Sequence, residues 1–252
     1  MAWDYNISLF DPDLALESDL DKNGKLGLSF LNNEPSFFGL FDNHPKGVPY
    51  LQKDPRMCIA LPAWLRMINH RPAILFTYRH PLEVAASLKR REEKEHEGLV
   101  YPLAYGLYLW IVYNTQALRH SDRLCRVHTS NNLIVKSPMG ELSRINDELT
   151  VKCGVPAPPI SEISQEVIDS FIDPHLQHHK EVEKAVVKDF RNDCLAREFN
   201  SDYAEGTPDR EAEHVMYLAA MELYCDLESG KAYRDDYEWL SIPFMKYPRA
   251  EP

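Results

Sequence analysis

Ala73-Ile74-Leu75-Phe76-Thr77-Tyr78-Arg79-His80-Pro81-Leu82-Glu83-Val84-Ala85-Ala86-Ser87-Leu88 is the stretch on which the fold of this chain turns. Its first six residues form a near-continuous apolar run, the composition of a parallel β-strand buried on both faces. A helix is expected to follow directly. Pro81 suits the first helical position, Glu83 favours the positive end of the helix dipole, and Val84, Ala85 and Leu88 form an apolar stripe. The helix should run to about Glu95. A buried strand that feeds straight into a helix is the unit of an α/β layer fold.

Outward from this unit the same alternation continues, beginning at Val48. Tyr101 to His120 reads as a second helix, aromatic on several sides and therefore buried, and Leu124 to His128 as a short strand. Met139 to Cys153 reads as a third helix closed by Gly154. Pro156-Ala157-Pro158-Pro159 is a rigid connector. Beyond it the residues up to 230 are mostly helical, including Glu211 to Leu227 with Val215, Leu218, Ala219 and Leu223 along one face. Residues 1 to 47 are punctuated by Gly, Pro and Asn, and two strand-like stretches, Trp3 to Phe10 and Lys25 to Leu31, flank an acidic segment. No internal repeat and no secure domain boundary occurs. The expectation is one domain over residues 1–252, of α/β class with a parallel sheet and a helical C-terminal third.

Composition narrows the function classes. The chain has 252 residues, of which 44% are hydrophobic and 11% aromatic, ample for a packed core and unlike a disordered chain. No apolar run approaches the ~18 residues that span a bilayer, which argues against a membrane span. The opening Met1-Ala2-Trp3-Asp4 lacks the basic, apolar, small-residue order of a secretory signal, so a cytoplasmic location is expected. The 5 cysteines, Cys58, Cys125, Cys153, Cys194 and Cys225, are widely spaced with no C-x-x-C, and read as reduced, mostly buried thiols. With 28 basic against 39 acidic side chains the net charge is -11, so the average surface repels nucleic acid and acidic lipid. An anionic ligand therefore needs a local basic pocket.

The sequence offers one such cluster, Arg79-His80 followed by Lys89-Arg90-Arg91. Arg79 falls at the carboxyl end of the strand, where ligands bind in open α/β sheets. Its planar fork suits phosphate oxygens, Ser87 adds a hydroxyl donor, and the helix N-terminus adds unpaired amides and a positive dipole. Ser87 lies about 9 Å along the helix from Pro81 at 1.5 Å per residue, and Arg90 and Arg91 share its face. The competing reading pairs Arg79 with a carboxylate and leaves Ser87 and the basic residues on a solvated helix face.

Two further constellations are weighed and set aside as metal sites. Asp19-Leu20-Asp21-Lys22-Asn23-Gly24-Lys25-Leu26 follows the opening of an EF-hand loop, but its twelfth position is Phe30, so an Asx-rich turn is the better reading. His175, His178 and His179 sit within one helical turn and diverge, so no metal is expected there. For a general base Asp54, His80 and His128 stay open, Asp54 also being placed to cap a helix started by Pro55.

At this point the sequence resembles a family, the sulfotransferases that use 3′-phosphoadenylyl sulfate (PAPS), and especially their bacterial type. The resemblance rests on Lys53-Asp54-Pro55-Arg56 ahead of Leu61-Pro62-Ala63-Trp64, followed by the Arg79 to Leu88 run. It continues loosely through the Trp110 helix and Phe171-Ile172-Asp173-Pro174-His175-Leu176, covering roughly residues 48 to 228, with 1 to 47 atypical. The resemblance implies a P-loop-type α/β sandwich, an enzyme class of transferase, and PAPS as co-substrate with no metal. It implies that Arg79 and Ser87 hold the 3′-phosphate and that Lys53 lies near the sulfuryl group; Arg90 and Arg91 on the same helix face and Asp54 as a general base are the further candidates. His178, His179 and Lys180 would then be near the nucleotide. The acceptor would be a hydroxyl or amine of a carbohydrate or small metabolite. One departure counts against transfer. The family's strand, Gly-rich loop and helix for the 5′-phosphosulfate have no counterpart here: neither Gly-x-x-Arg-Ser-Gly-Thr nor Gly-x-x-x-x-Gly-Lys-Ser/Thr occurs, and Asn23-Gly24-Lys25 lacks the upstream glycine. The alternative expectation is a non-catalytic nucleotide-binding or assembly module, with a homo-oligomer as one outcome of an open sheet.

Overall fold

A computed structural model of the chain describes residues 51–53, 56–67, 71–96, 100–155, 160, 163–171, 205–242 and 245. The element order is α1 (Met57–Met67), β1 (Ile74–Tyr78), α2 (Pro81–Glu95), α3 (Leu103–His120), β2 (Arg126–Ser130), α4 (Asn131–Lys136), α5 (Pro138–Asp147) with a π-turn over Glu148–Lys152, α6 (Gln165–Phe171), α7 (Pro208–Glu228) and a 3-10 turn over Lys231–Tyr233. β1 and β2 pair in parallel, from Ile74 opposite Arg126 to Tyr78 opposite Ser130. The chain is thus of mixed helix and strand, with a small parallel sheet of two strands among the described residues.

Local chemistry accounts for the element ends. Pro81 opens α2 as expected, and the Nδ1 of His80 accepts from the Leu82 amide at 3.3 Å, so His80 is the N-cap. Thr207 does the same for α7, its hydroxyl accepting from the Arg210 amide at 3.4 Å ahead of Pro208. Gly154 closes the third helical segment in the left-handed region, φ 66°, where its amide reaches the Thr150 carbonyl at 3.1 Å.

α3 is the hub of the core, packing against α1, α2 and α7. Tyr105, Leu107, Tyr108, Trp110, Ile111 and Leu118 are all buried along it, so a helix aromatic on several sides is indeed covered on several sides. It meets α2 at backbone distance: a Cβ on Gly106 would stand 2.9 Å from the Ala85 Cα.

Several expectations need correction. β1 is buried on one face: Phe76 and Tyr78 point into the core, whereas Leu75 is 38% exposed and Thr77 is exposed too. An apolar run records affinity for a core, not whether both sides of the sheet receive one. β2 begins two residues later than its apolar content suggested, because pairing with β1 sets its ends. On α7 the stripe that enters the core is Met216, Tyr217, Ala220, Met221, Tyr224 and Leu227, with Leu223, while Val215 is 52% and Leu218 42% exposed. The aromatic and Met residues carry more apolar area than the Val and Leu of the expected stripe. Cys125 and Cys153 form a disulfide, their Cα atoms 5.4 Å apart, and Cys225 is also disulfide-bonded, against the expectation of reduced thiols. Wide spacing in sequence conceals which cysteines the fold brings together. Disulfides persist in oxidising compartments, so the cytoplasmic expectation loses the support of reduced thiols. No helix among the described residues is long and apolar enough to cross a membrane. The strand-like stretches Trp3 to Phe10 and Lys25 to Leu31, the Asp19 loop and His175, His178 and His179 lie outside the described residues.

Candidate functional site at the carboxyl end of the parallel strands

The carboxyl ends of β1 and β2 meet the N-termini of α2 and α4, so amides and side chains converge on one end of the sheet. Arg79 leaves β1 there. Its carbonyl accepts from the Trp110 Nε1 at 2.9 Å, and the Trp110 carbonyl accepts from the Asn114 Nδ2 at 2.7 Å, so α3 pins the turn that carries the guanidinium. Arg79 is partly exposed and donates through Nε to the Glu83 carboxylate, which is only 2% exposed. Nη1 and Nη2 make no hydrogen bond among the described residues. Glu83 stands one helical turn on, the i, i+4 geometry of an ion pair, and steers the fork.

Behind this turn lies an aromatic wall. His80, 2% exposed, meets Tyr224 edge-on at 5.0 Å, and Trp110 meets the same ring at 6.3 Å. Asn132 of α4 donates to the Tyr224 hydroxyl at 3.4 Å, which ties the helix after β2 to α7. Burial, with Glu228 nearby, pushes the Tyr224 hydroxyl above its ordinary titration range; burial does the same to Tyr78, helped by Tyr233 and Glu228. Both stay protonated donors at neutral pH.

The other site residues expected from sequence fall out as follows. Ser87 is exposed two turns along α2, and so are Arg90 and Arg91, of which Arg91 donates to Glu92 at 2.8 Å through Nη2. Lys53 is exposed and Asp54 lies outside the described residues. His80 serves as a helix cap. His128 stacks on Tyr233 at 3.8 Å, and burial followed by the Arg144 charge lowers its titration. Among the described residues no group of three or more His, Cys, Asp and Glu is arranged to hold a metal ion.

The competing reading from sequence, in which Arg79 pairs with a carboxylate, is what the structure shows, with Glu83 at the i, i+4 spacing as the partner that the reading left unnamed and with Ser87, Arg90 and Arg91 exposed on the helix. Sequence reasoning overlooked Trp110, Asn132 and Tyr224, whose spacings of 31 and 92 residues leave no local signal. Set against known proteins, this chain matches no family model, no curated protein and no solved structure.

Proposed function

We propose that this chain is a sulfotransferase-like protein of P-loop-sandwich type that binds PAPS or its spent product, adenosine 3′,5′-bisphosphate, at the carboxyl end of β1. The observation that carries the reading is Arg79: it sits part-exposed at the end of a parallel strand beside the N-terminus of α2, with Glu83 holding Nε and no hydrogen bond to Nη1 or Nη2 among the described residues. That leaves the Nη pair of the fork for phosphate oxygens. The paired sequence motifs around Lys53 and Arg79 supply the nucleotide class. In this reading Ser87, Arg90 and Arg91 extend the phosphate pocket along α2, and the acceptor is a hydroxyl or amine of a sugar or small metabolite.

A second reading, a non-catalytic nucleotide-binding or assembly module, is favoured by the exposure of Lys53 and by the sequence's lack of a Gly-rich phosphate loop. Sulfuryl transfer, by analogy with phosphoryl transfer, needs donors that meet charge on the leaving phosphate, and the 3′-phosphate pocket is remote from that charge. Binding with little or no turnover is therefore expected of this chain.

Calorimetric titration of adenosine 3′,5′-bisphosphate tests the site. Arg79→Lys keeps the charge and loses the fork, so it should weaken binding at least tenfold; equal constants for wild type and variant would sink the assignment. A radiolabelled transfer assay over a broad acceptor panel separates the two readings: multiple turnovers abolished by Lys53→Ala favour the enzyme, and binding without turnover the module.

A further inference from the structure

The other end of the sheet holds a second feature that the proposed nucleotide site does not use. β2 starts at Arg126, level with Ile74 of β1, so Arg126 and Arg79 are separated along the strands by about 16 Å at 3.3 Å per residue. At the Arg126 end a cleft of about 550 Å³ opens between the end of α3 and the segment after α7. That volume is in the range of small-molecule sites.

Four arginines line it: Arg119 and Arg123 from the end of α3 and the turn beyond, Arg126 from β2, and Arg234. Arg119, Arg123 and Arg234 make no ion pair among the described residues. Arg126 spends Nη1 on the Leu118 carbonyl at 2.9 Å and the Ser121 hydroxyl at 3.0 Å, which quiets the negative end of α3. Its Nε and Nη2 make no hydrogen bond there. The acidic lining is Asp122 and Asp235, both close enough to act on the Arg126 charge. Four guanidinium groups against two carboxylates make a positive concavity in a chain of net charge -11. Gathering unpaired like charges in a recess is unfavourable, and an anion placed between them relieves it.

The rest of the lining is aromatic and held in place. Tyr233 stacks on His128 at 3.8 Å, and the Arg126 guanidinium stands 5.7 Å from the Tyr233 ring centre. Tyr237 and Trp239 meet edge to face at 4.9 Å, and the Tyr237 hydroxyl donates to Asp226 at 2.9 Å. Pre-positioned rings beside arginine forks suit a flat ligand that carries an anionic ester: the ring stacks and the arginines take its oxygens.

We propose that this cleft is a binding site for a planar aromatic compound bearing a phosphate or sulfate ester, distinct from the site at Arg79. Calorimetry on the full chain with 1-naphthyl phosphate, 1-naphthyl sulfate, 1-naphthol and inorganic phosphate tests it. At least one ester should bind once per chain, the comparison of the two telling which ester is preferred. Naphthol and inorganic phosphate should each bind at least tenfold more weakly than that ester. The double variant Arg123→Ala/Arg234→Ala removes exposed, unpaired like charges, so its unfolding midpoint should be no lower than that of wild type while ester affinity falls at least tenfold. Arg79→Lys should leave ester binding unchanged, which separates this site from the nucleotide reading. The proposal is overturned if neither ester binds saturably up to millimolar concentration, if inorganic phosphate or naphthol binds as well as the ester, if the double variant binds like wild type, or if Arg79→Lys abolishes binding.

Discussion

Arg79 and Glu83 show how one pair can serve both stability and recognition. The carboxylate is buried and its guanidinium partner only partly so, so the two deletions are unequal. Arg79→Ala leaves a buried carboxylate without its partner and should cost about 2 kcal/mol after allowance for the exposed side of the arginine. Glu83→Gln should cost less, and Arg79→Ala/Glu83→Gln together less than Arg79→Ala alone; urea unfolding of the three variants reads the coupling. A second residue-scale network gives a pH signature. Glu141 accepts from the Arg144 Nε at 3.0 Å and Nη2 at 2.6 Å, and from the Thr129 hydroxyl at 2.5 Å, and its titration falls chiefly through the Arg144 bonds. A depressed carboxyl stabilises the fold fully above its unfolded value of 4.5, and that contribution is lost as pH falls toward the folded value. His128 is lowered from 6.5 by burial, so the unfolded chain takes its proton first and stability falls as pH drops below 6.5. Unfolding free energy measured against pH should therefore decline in two windows. His128→Gln should flatten the first, Glu141→Gln the second, and unchanged slopes would refute the assignments.

At the scale of elements, two glycines inside helices make a matched pair. Gly106→Ala improves helix propensity by about 1 kcal/mol but drives a Cβ to 2.9 Å from the Ala85 Cα, backbone that only a shift of α2 can move. Overpacking of this kind costs about 1–3 kcal/mol, so a lower melting temperature is expected. In α5 a Cβ on Gly140 would meet the Ser137 Oγ at 2.8 Å, the end of a side chain that can rotate away. Gly140→Ala should thus be neutral or stabilising by up to about 1 kcal/mol. Calorimetric melting of the two variants checks the opposite signs. Neither outcome is legible in sequence, because both glycines read alike as weak points in a helical pattern.

Across the whole molecule, the Cys125–Cys153 bond clamps the start of β2 to the turn that closes the π-turn, across a separation of 28 residues. Closing a loop of that length restricts the unfolded chain and is worth about 3.6 kcal/mol. The variant Cys125→Ser/Cys153→Ser should lose about that amount of unfolding free energy in a denaturant titration without reductant. Non-reducing peptide mapping should recover the linked pair. Equal stability of the variant and wild type would show that the clamp contributes nothing.

What could be read from residues alone is whatever has a local cause. Pro81 with Glu83 and the stripe behind them placed α2 at Pro81–Glu95, and Gly154 marked the end of the third helical segment, since capping, φ and short-range periodicity act within a few residues. Arg79 at a strand's carboxyl end followed from the same local reading. The one-sided burial of β1, the stripe α7 turns inward, the disulfide and the aromatic wall around Tyr224 all join residues far apart in the chain. They follow from which surfaces meet, and burial of the largest apolar area decides that, not the order of the residues. For the same reason the arginines of the cleft, drawn from α3, the turn beyond it, β2 and the segment after α7, carry no motif: only the packed fold gathers Arg119, Arg123, Arg126 and Arg234 into one recess.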